Sequence, residues 1–297
     1  MEFYRKLRVE ETGEHKYLKM LDGIGDMYPV ASAKNDFPCL TYPKLEEIDF
    51  IDHLFTTRLG GVSEDIFASL NLSFNRGDDR DKVLENYKRV AAALNMDYTK
   101  MVCSDQTHTT NVRVVTSEDA GKGVVIPKDY TDTDGLITNV PGLTLGTFYA
   151  DCVPLYFVDP FHKAIGLSHS GWKGTVARIG KATIEAMTRE YGTDPADLIC
   201  AIGPSICQDC YEISEDVAIK FIDEFSEHKD QIIYYKGNGK YQLDLWRTNE
   251  IVLTEAGVKL ENISTTSICT CCNPYMLFSH RASHGKRGNL GAFLVIK

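Results

Sequence analysis

The chain predicts a mixed α/β fold, α+β in character, with mixed β-sheets flanked by helices in one layered domain, and three observations carry this. Apolar runs of strand length alternate with long segments of helical periodicity. The order of strands and helices keeps no strict βαβ rhythm, which favours mixed sheets over a doubly wound parallel one. No Pro-, Gly- or Ser-rich tract is long enough to separate independent domains. Residues 1–297 therefore read as a single domain, with 1–50 an N-terminal strand and loop segment packed on it.

Bulk properties narrow the function. Of the 297 residues, 43% are hydrophobic and 25% charged, the balance of a protein with a full core. A net charge of −10 argues against a grip on nucleic acid, which depends on neutralising phosphates. No apolar run approaches the roughly 20 residues of a membrane helix. The opening MEFYRKLRVEETGEHKY is polar and mixed in charge, unlike a secretory leader. Nine cysteines without an export signal fit a reducing, cytoplasmic setting where thiols stay free or bind metal.

In chain order, residues 1–50 alternate short apolar pieces with Gly23, Gly25, Pro29, Pro38 and Pro43. Gly23-Ile24-Gly25 has no helix after it and makes no phosphate loop. His53 to Arg58 alternates as a strand, and Gly60-Gly61 turns the chain, which leaves Arg58 at a strand end. Phe67 to Phe74 is a loop or short strand carrying Asn71. A helix is expected over Asp81 to Asn95, because Val83, Leu84, Tyr87, Val90, Ala91 and Leu94 recur at helical spacing. Met101 to Asp105 is a short strand ending at Gln106-Thr107-His108, with Asn111 to Val115 as its expected hairpin or sheet partner. DTDGLI at 132–137 reads as a loop entering a strand.

The centre of the chain is TLGTFYADCVPLYFVDPFHKAIGLSHSGWKG, residues 144–174. A strand over Leu143 to Tyr149 delivers Asp151 and Cys152, and a second apolar run follows through Pro154 to Val158. A turn at Asp159-Pro160 leads to the strand Lys163 to Ser168, which delivers His169. The short turn makes thiol and imidazole neighbours. A helix is expected over Thr175 to Tyr191, with Gly192 as its stop, and its first amides would favour an anion near His169. The order of residues around Lys173 is not that of a Walker loop.

Beyond it, Leu198 to Ile202 is a buried strand, and Ser214 an expected N-cap. Tyr241 to Leu245 is a strand, Trp246 to Ala256 a helix closed by Gly257, and Ile263 to Ser267 and Leu290 to Val295 are strands. Cys207 and Cys210, with Cys269, Cys271 and Cys272, are compatible with a second zinc site, a redox pair or small buried hydrophobes. The sequence leaves their role open.

His108, Cys152 and His169 each follow a strand. Two imidazoles and a thiolate suit Zn²⁺, and three protein ligands leave a fourth position for water or substrate. Copper can take zinc's place on intrinsic affinity. Two rival readings stand beside this one. One is a Cys152–His169 nucleophile pair oriented by Asp151 or Gln106; the other is three unrelated edge residues. Asp151 acts directly only if the strand ends there, since neighbours on a strand face opposite ways. The His-x-Glu signature of the nucleobase deaminases is absent. Eight histidines, scattered singly, do not supply a multicopper centre. His280 and His284 read as surface residues.

Six motifs in series, TTRLGGVS (56–63), SDQTH (104–108), ADCVP (150–154), HSGWKG (169–174), IGPSI (202–206) and CTCCNPYMLFSHR (269–281), resemble the YfiH family. Its members are also called laccase-domain proteins, multicopper polyphenol oxidases and peptidoglycan editing factor. The resemblance runs from Ile51 to the C-terminus and implies a YfiH-like fold. It also implies a zinc-dependent purine nucleoside enzyme that phosphorolyses adenosine, inosine and methylthioadenosine to free base and ribose 1-phosphate, and deaminates adenosine. The implied metal ligands are His108, Cys152 and His169. Thr109 stands where the family usually has glycine, HSGWKG replaces HAGWRG, and Ser279-His280-Arg281 replaces SYR; none removes a ligand. Phosphorolysis calls for cations near a bound phosphate, and Arg58, Lys173 and Arg281 are the expected ones, with Asn71 beside them. The alternatives are a metal-free Cys-His hydrolase or amidase, a cell-wall precursor editing factor, and a non-enzymatic partner-binding protein. Oligomeric state is not legible.

Overall fold

A computed structural model describes residues 37–297, and before them the backbone of three strands, Phe3–Arg8, His15–Met20 and Val30–Lys34. The Gly23–Gly25 segment lies outside the described residues. Two six-stranded mixed sheets form the centre of the fold. One runs in the order Ile263–Thr265, Ile199–Ile202, Val153–Asp159, Ala164–Ser170, Gly135–Thr138, Val112–Val114. The other runs Val30–Lys34, Phe37–Thr41, Ile51–Thr56, Leu290–Ile296, Thr144–Tyr149, Met101–Cys103.

The alternation of side chains along each strand dictates the layering. On Val153–Asp159, Tyr156 and Val158 join a core shared with Leu145, Leu294 and Phe55 of the other sheet. Val153, Leu155 and Phe157 on the opposite face pack against the helices Ile179–Tyr191 and Leu245–Glu255 through Ile184, Met187 and Val252. On the second sheet, Leu294 faces the inter-sheet core, while Phe293 meets Val83, Tyr87 and Val90 of the helix Arg80–Ala93. Both sheets are thus covered on both faces at their centres, which is why strands such as Val153–Asp159 and Leu290–Ile296 are buried along their whole length. The layers are helix, sheet, sheet, helix, the mixed α/β architecture that the sequence predicts.

The expected helix at 81–95 is present as Arg80–Ala93, and Asp79 caps it by accepting from the backbone N–H groups of Asp81 (2.8 Å) and Lys82 (3.2 Å). Ser214 stands at the N-cap of Glu215–Glu224, but its side chain makes no capping bond. Two expectations fail. Val112–Val114 does not partner Met101–Cys103. It pairs in parallel with Gly135–Thr138 in the first sheet, whereas Met101–Cys103 pairs with Thr144–Tyr149 in the second. The residues between them carry the chain from one sheet to the other. The single helix expected over 175–191 is two, Trp172–Val176 and Ile179–Tyr191, broken at Arg178, whose φ is +64°. Arg178 is held there by Glu224 and Glu255 and by the Phe225 ring, 4.7 Å from its guanidinium. The helix following His169 is therefore one short turn.

Candidate functional site

The chain steps between the two sheets at 104–111 and again at 150–152, and both steps fall at the same end of the sandwich. His108 lies on the first step and Cys152 on the second. His169 is one residue from the end of Ala164–Ser170, directly across from Pro154 in the antiparallel register. Antiparallel pairing of Val153 with Ser170 brings Cys152 and His169 to one rim, as the short Asp159-Pro160 turn predicts.

The three side chains converge. The ligand atoms of His108, Cys152 and His169 all lie within 4.8 Å of one another. Cys152 Sγ is 3.9 Å from His108 Nε2, and the two imidazole rings meet edge to face at 4.9 Å. A tetrahedral zinc with Zn–N and Zn–S bonds of about 2.0–2.3 Å asks for donors some 3.4–3.7 Å apart, so a small contraction completes the geometry. Two borderline nitrogens and one soft sulfur would suit that ion, and all three donor residues line a cavity. Gly171 makes the convergence possible. A Cβ there would stand 2.4 Å from His108 Cδ2 and 3.2 Å from Cys152 Sγ.

Asp134 holds the set in place. It is fully buried, and its Oδ1 accepts from His169 Nδ1 at 2.7 Å. That bond commits Nδ1 and leaves Nε2 as the donor available to a metal. The same carboxylate accepts from the backbone N–H groups of Thr107 (3.0 Å), His108 (3.1 Å) and Thr109 (2.9 Å). These bonds fold the loop that presents His108, whose φ is +68°. One buried carboxylate thus positions two of the three ligands. Burial pushes the Asp134 carboxyl up, but the bonds from His169 and the loop amides outweigh it and hold it at about 2. Burial likewise raises the Cys152 thiol, and the charge of His169 with the bonds to both histidines more than reverses this, to about 6. His169 is lowered by burial, yet the Cys152 thiolate and Asp134 lift it to about 9.

The cavity in front of the triad has a volume of about 560 Å³. Its walls carry four cations, Arg76, Arg80, Lys128 and Arg287, and four aromatic rings, Phe74, Tyr87, Phe148 and Tyr149. Lys128 is engaged by Asp105 and the Ser104 carbonyl. Arg287 donates to Gly288 O and Asn289 Oδ1, while its buried Nε has no protein partner among the described residues. Burial and the neighbouring Arg76 lower Arg287 to about 10, so it remains charged at neutral pH.

Of the other expected site residues, Gln106 belongs to this lining, whereas Arg58, Asn71, Asp151, Lys173 and Arg281 lie outside it. Arg58 donates from Nε to Ala68 O and from Nη1 to Pro274 O, both at 2.8 Å, and its guanidinium rests on the Phe278 ring. Arg281 donates its guanidinium to the carbonyls of Cys210 (2.7 Å) and Glu212 (3.0 Å). Lys173 sits over the Trp172 ring at 5.7 Å. Asn71 is buried and ties its own loop together, accepting from Ser73 N and Asn289 N and donating to Asp78. Asp151, with φ +89°, turns its carboxylate to Thr270 Oγ1 and Arg281 N, both at 2.7 Å. Gln106 is locked to the Phe148 backbone, accepting from its N–H and donating to its carbonyl, each at 2.7 Å. His280 and His284 are exposed. Sequence reasoning missed Asp134 and all four cavity cations. Asp134 sits in a turn-like DTDG string, and the cations come from separate loops.

Comparison with known proteins gives a consistent picture. Residues 52–297 match the family described as multi-copper polyphenol oxidoreductase laccase. The chain is 36% identical over 247 residues to the purine nucleoside phosphorylase YlmD of Bacillus subtilis, covering 82% of this chain and 87% of that protein. It is 34% identical over 248 residues to adenosine deaminase RL5 from an unknown prokaryotic organism, covering 80% of this chain and 93% of that one. The crystal structure of a Bacillus licheniformis hypothetical protein, YfiH, superposes with a TM-score of 0.83 at 35% identity, covering 87% and 96% of the two chains.

Proposed function

The chain belongs to the multi-copper polyphenol oxidoreductase laccase family, and from that premise we propose that it is a zinc-dependent purine nucleoside phosphorylase that also deaminates adenosine. One observation carries the reading: two imidazoles and a thiol converge on a cavity whose other wall is cationic. His108, Cys152 and His169 are the residues that hold the metal, with copper a competitor for the same donors. When bound, zinc supplies a Lewis acid that activates water near neutral pH, the chemistry deamination needs.

The chain's own residues supply the rest. Asp134 fixes the His169 ring and the loop of His108, so the donors are oriented before substrate arrives. Arg287, facing the cavity, holds phosphate as it approaches the ribose, its Nε a donor awaiting an acceptor, while Arg76 donates to the Arg287 and Gly285 carbonyls and adds its charge to the same wall. In phosphorolysis a phosphate oxygen forms its bond to C1′ as the C1′–N9 bond breaks, and the leaving purine nitrogen takes up the proton that the attacking dihydrogen phosphate gives up. The cations stabilise the incoming phosphate's charge. Phe148 lines the cavity as apolar surface for a purine, while the Phe74 ring is itself stacked on Tyr87 and carries the Arg80 guanidinium. Arg58, Arg281, Asn71 and Asp151 act through the loops they tie, as positioning residues.

The same geometry favours one second reading. A Cys152 thiolate, a raised His169 and Asp134 behind it have the arrangement of a cysteine hydrolase or amidase that needs no metal, acting for example on a cell-wall precursor. Incubating the purified protein with adenosine, with and without phosphate and with and without chelator, separates the two. The proposal expects adenine and ribose 1-phosphate with phosphate present, inosine from deamination, and loss of both on chelation. Absence of phosphate-dependent base release overturns it. No turnover of adenosine, with hydrolysis of an amide substrate that survives chelation and is lost on alkylation of Cys152, establishes the rival. No described helix is long and apolar enough to cross a membrane, and none of the nine cysteines is in a disulfide. Both facts fit a cytoplasmic enzyme.

A further inference from the structure

Away from the cavity, a second set of thiols converges. Cys207 and Cys210 follow the strand Ile199–Ile202, and Cys269 and Cys272 follow Ile263–Thr265, its parallel neighbour. The four Sγ atoms all lie within 4.8 Å of one another. Cys210 Sγ and Cys272 Sγ are 3.5 Å apart, and no pair forms a disulfide. A tetrahedral zinc with Zn–S bonds of about 2.3 Å places its sulfurs about 3.8 Å apart, close to what is found. Two C-x-x-C pairs are the ligand spacing of structural zinc sites, where the two residues between ligands let both sulfurs face one ion.

The surroundings fit a closed site. Cys207 and Cys269 are buried, and Cys210 and Cys272 half-buried. The backbone N–H groups of Cys207 (3.3 Å) and Cys272 (3.4 Å) both point at Cys269 Sγ. Two amide donors on one sulfur favour a thiolate over a thiol. Cys271, in the middle of the second pair, stands outside the set.

We propose that Cys207, Cys210, Cys269 and Cys272 bind a structural zinc ion, separate from the His108–Cys152–His169 centre. Each ligating thiol releases its proton to solvent, and nothing is oxidised or reduced. The ion clamps the strap from Cys269 to Arg281 onto the loop from Cys207 to Glu212. That strap bears on the active centre: Thr270 Oγ1 and Arg281 N hold the Asp151 carboxylate, and the Arg281 guanidinium returns to the Cys210 carbonyl. Asp151 immediately precedes Cys152. The clamp thus steadies a metal ligand it does not touch.

Metal analysis of protein prepared under reducing conditions with added zinc tests this. The expected result is two zinc ions per chain in the wild type. One remains in His108→Ala/Cys152→Ser, one remains in Cys207→Ser/Cys210→Ser, and two remain in Cys271→Ser. Should the paired cysteine variant fail to fold, the His108→Ala/Cys152→Ser protein loaded with cobalt(II) gives the answer, since a tetrathiolate site shows strong visible bands and sulfur-to-cobalt charge transfer. A wild type holding a single zinc that vanishes with His108 and Cys152 overturns the proposal. So does a disulfide among the four cysteines in protein prepared anaerobically, or iron in place of zinc.

Discussion

Among the described residues, two clusters of metal-competent side chains stand in this fold, and they are built on opposite plans. The His108–Cys152–His169 set gathers single residues from two inter-sheet steps and one strand end, exposes His108, and opens on a cavity. The cysteine set gathers two compact pairs from adjacent parallel strands, buries half its sulfurs, and contributes no residue to the lining of that cavity. The first plan leaves a coordination position to substrate, and the second leaves none. An open centre must be held by neighbours that are not ligands, and Asp134 does that work here. A closed one holds its own segments together.

The sharpest way to break this contrast is chelation. The open centre should release its metal first, with nucleoside turnover falling by about 10³-fold or more, because Lewis-acid activation is worth several kcal/mol. Metal analysis at that point should still find about one ion per chain. Loss of both ions together, or in the reverse order, would remove the distinction between the sites.

Replacing the supporting carboxylate comes next. Asp134→Asn keeps the volume but loses the charge and some of the amide acceptance, so metal affinity should fall about 10–100-fold by competition titration. The same residue gives the fold an acid limb. Asp134 is held at about 2 in the folded chain, below its ordinary value of 3.8. Its stabilisation is therefore present above pH about 3.8 and lost as pH falls towards 2, on the order of 2 kcal/mol in all. Melting curves of metal-free protein from pH 7 down to 2 should steepen in that window for the wild type and not for the variant.

On the cavity side, Arg287→Gln should raise the KM for phosphate about tenfold, the worth of one charge-assisted hydrogen bond, and leave adenosine deamination within about twofold. An equal effect on both reactions would mean that Arg287 supports the cavity wall rather than phosphate.

How much of this was legible in the sequence follows the same division. Local patterns were: Val83, Tyr87 and Val90 mark a helix, and the runs around Leu155 and Leu167 mark buried strands. The converging of Cys152 and His169 was legible because a short turn joins their strands. Which sheet each strand joins was not: Val112–Val114 is a short, half-buried edge strand, and its parallel pairing with Gly135–Thr138 is a long-range choice that no local pattern encodes. Asp134 was hidden because a turn aspartate and a ligand-orienting one look alike until the backbone places three amides around it. The C-x-x-C pairs were visible, but their partnership depends on the parallel pairing of Ile199–Ile202 with Ile263–Thr265, which no local pattern encodes.

The smallest effect on turnover should come from Arg58, the residue whose sequence position suggested a phosphate ligand. Its backbone N–H donates to Met276 O at 2.8 Å and its Nη1 to Pro274 O at 2.8 Å, both on the strap that the cysteine cluster begins. Arg58 therefore belongs with the closed cluster in its effect, although it carries the charge expected of the open one. Arg58→Ala removes the two side-chain bonds and the stacking on Phe278, so unfolding should become easier by about 2–3 kcal/mol. That is several degrees in Tm for a chain of this size. The KM for phosphate should stay within about twofold, since the guanidinium is already committed to Ala68 and Pro274 carbonyls. A tenfold rise in that KM with an unchanged Tm would move Arg58 into the cavity and require the strap to open during turnover.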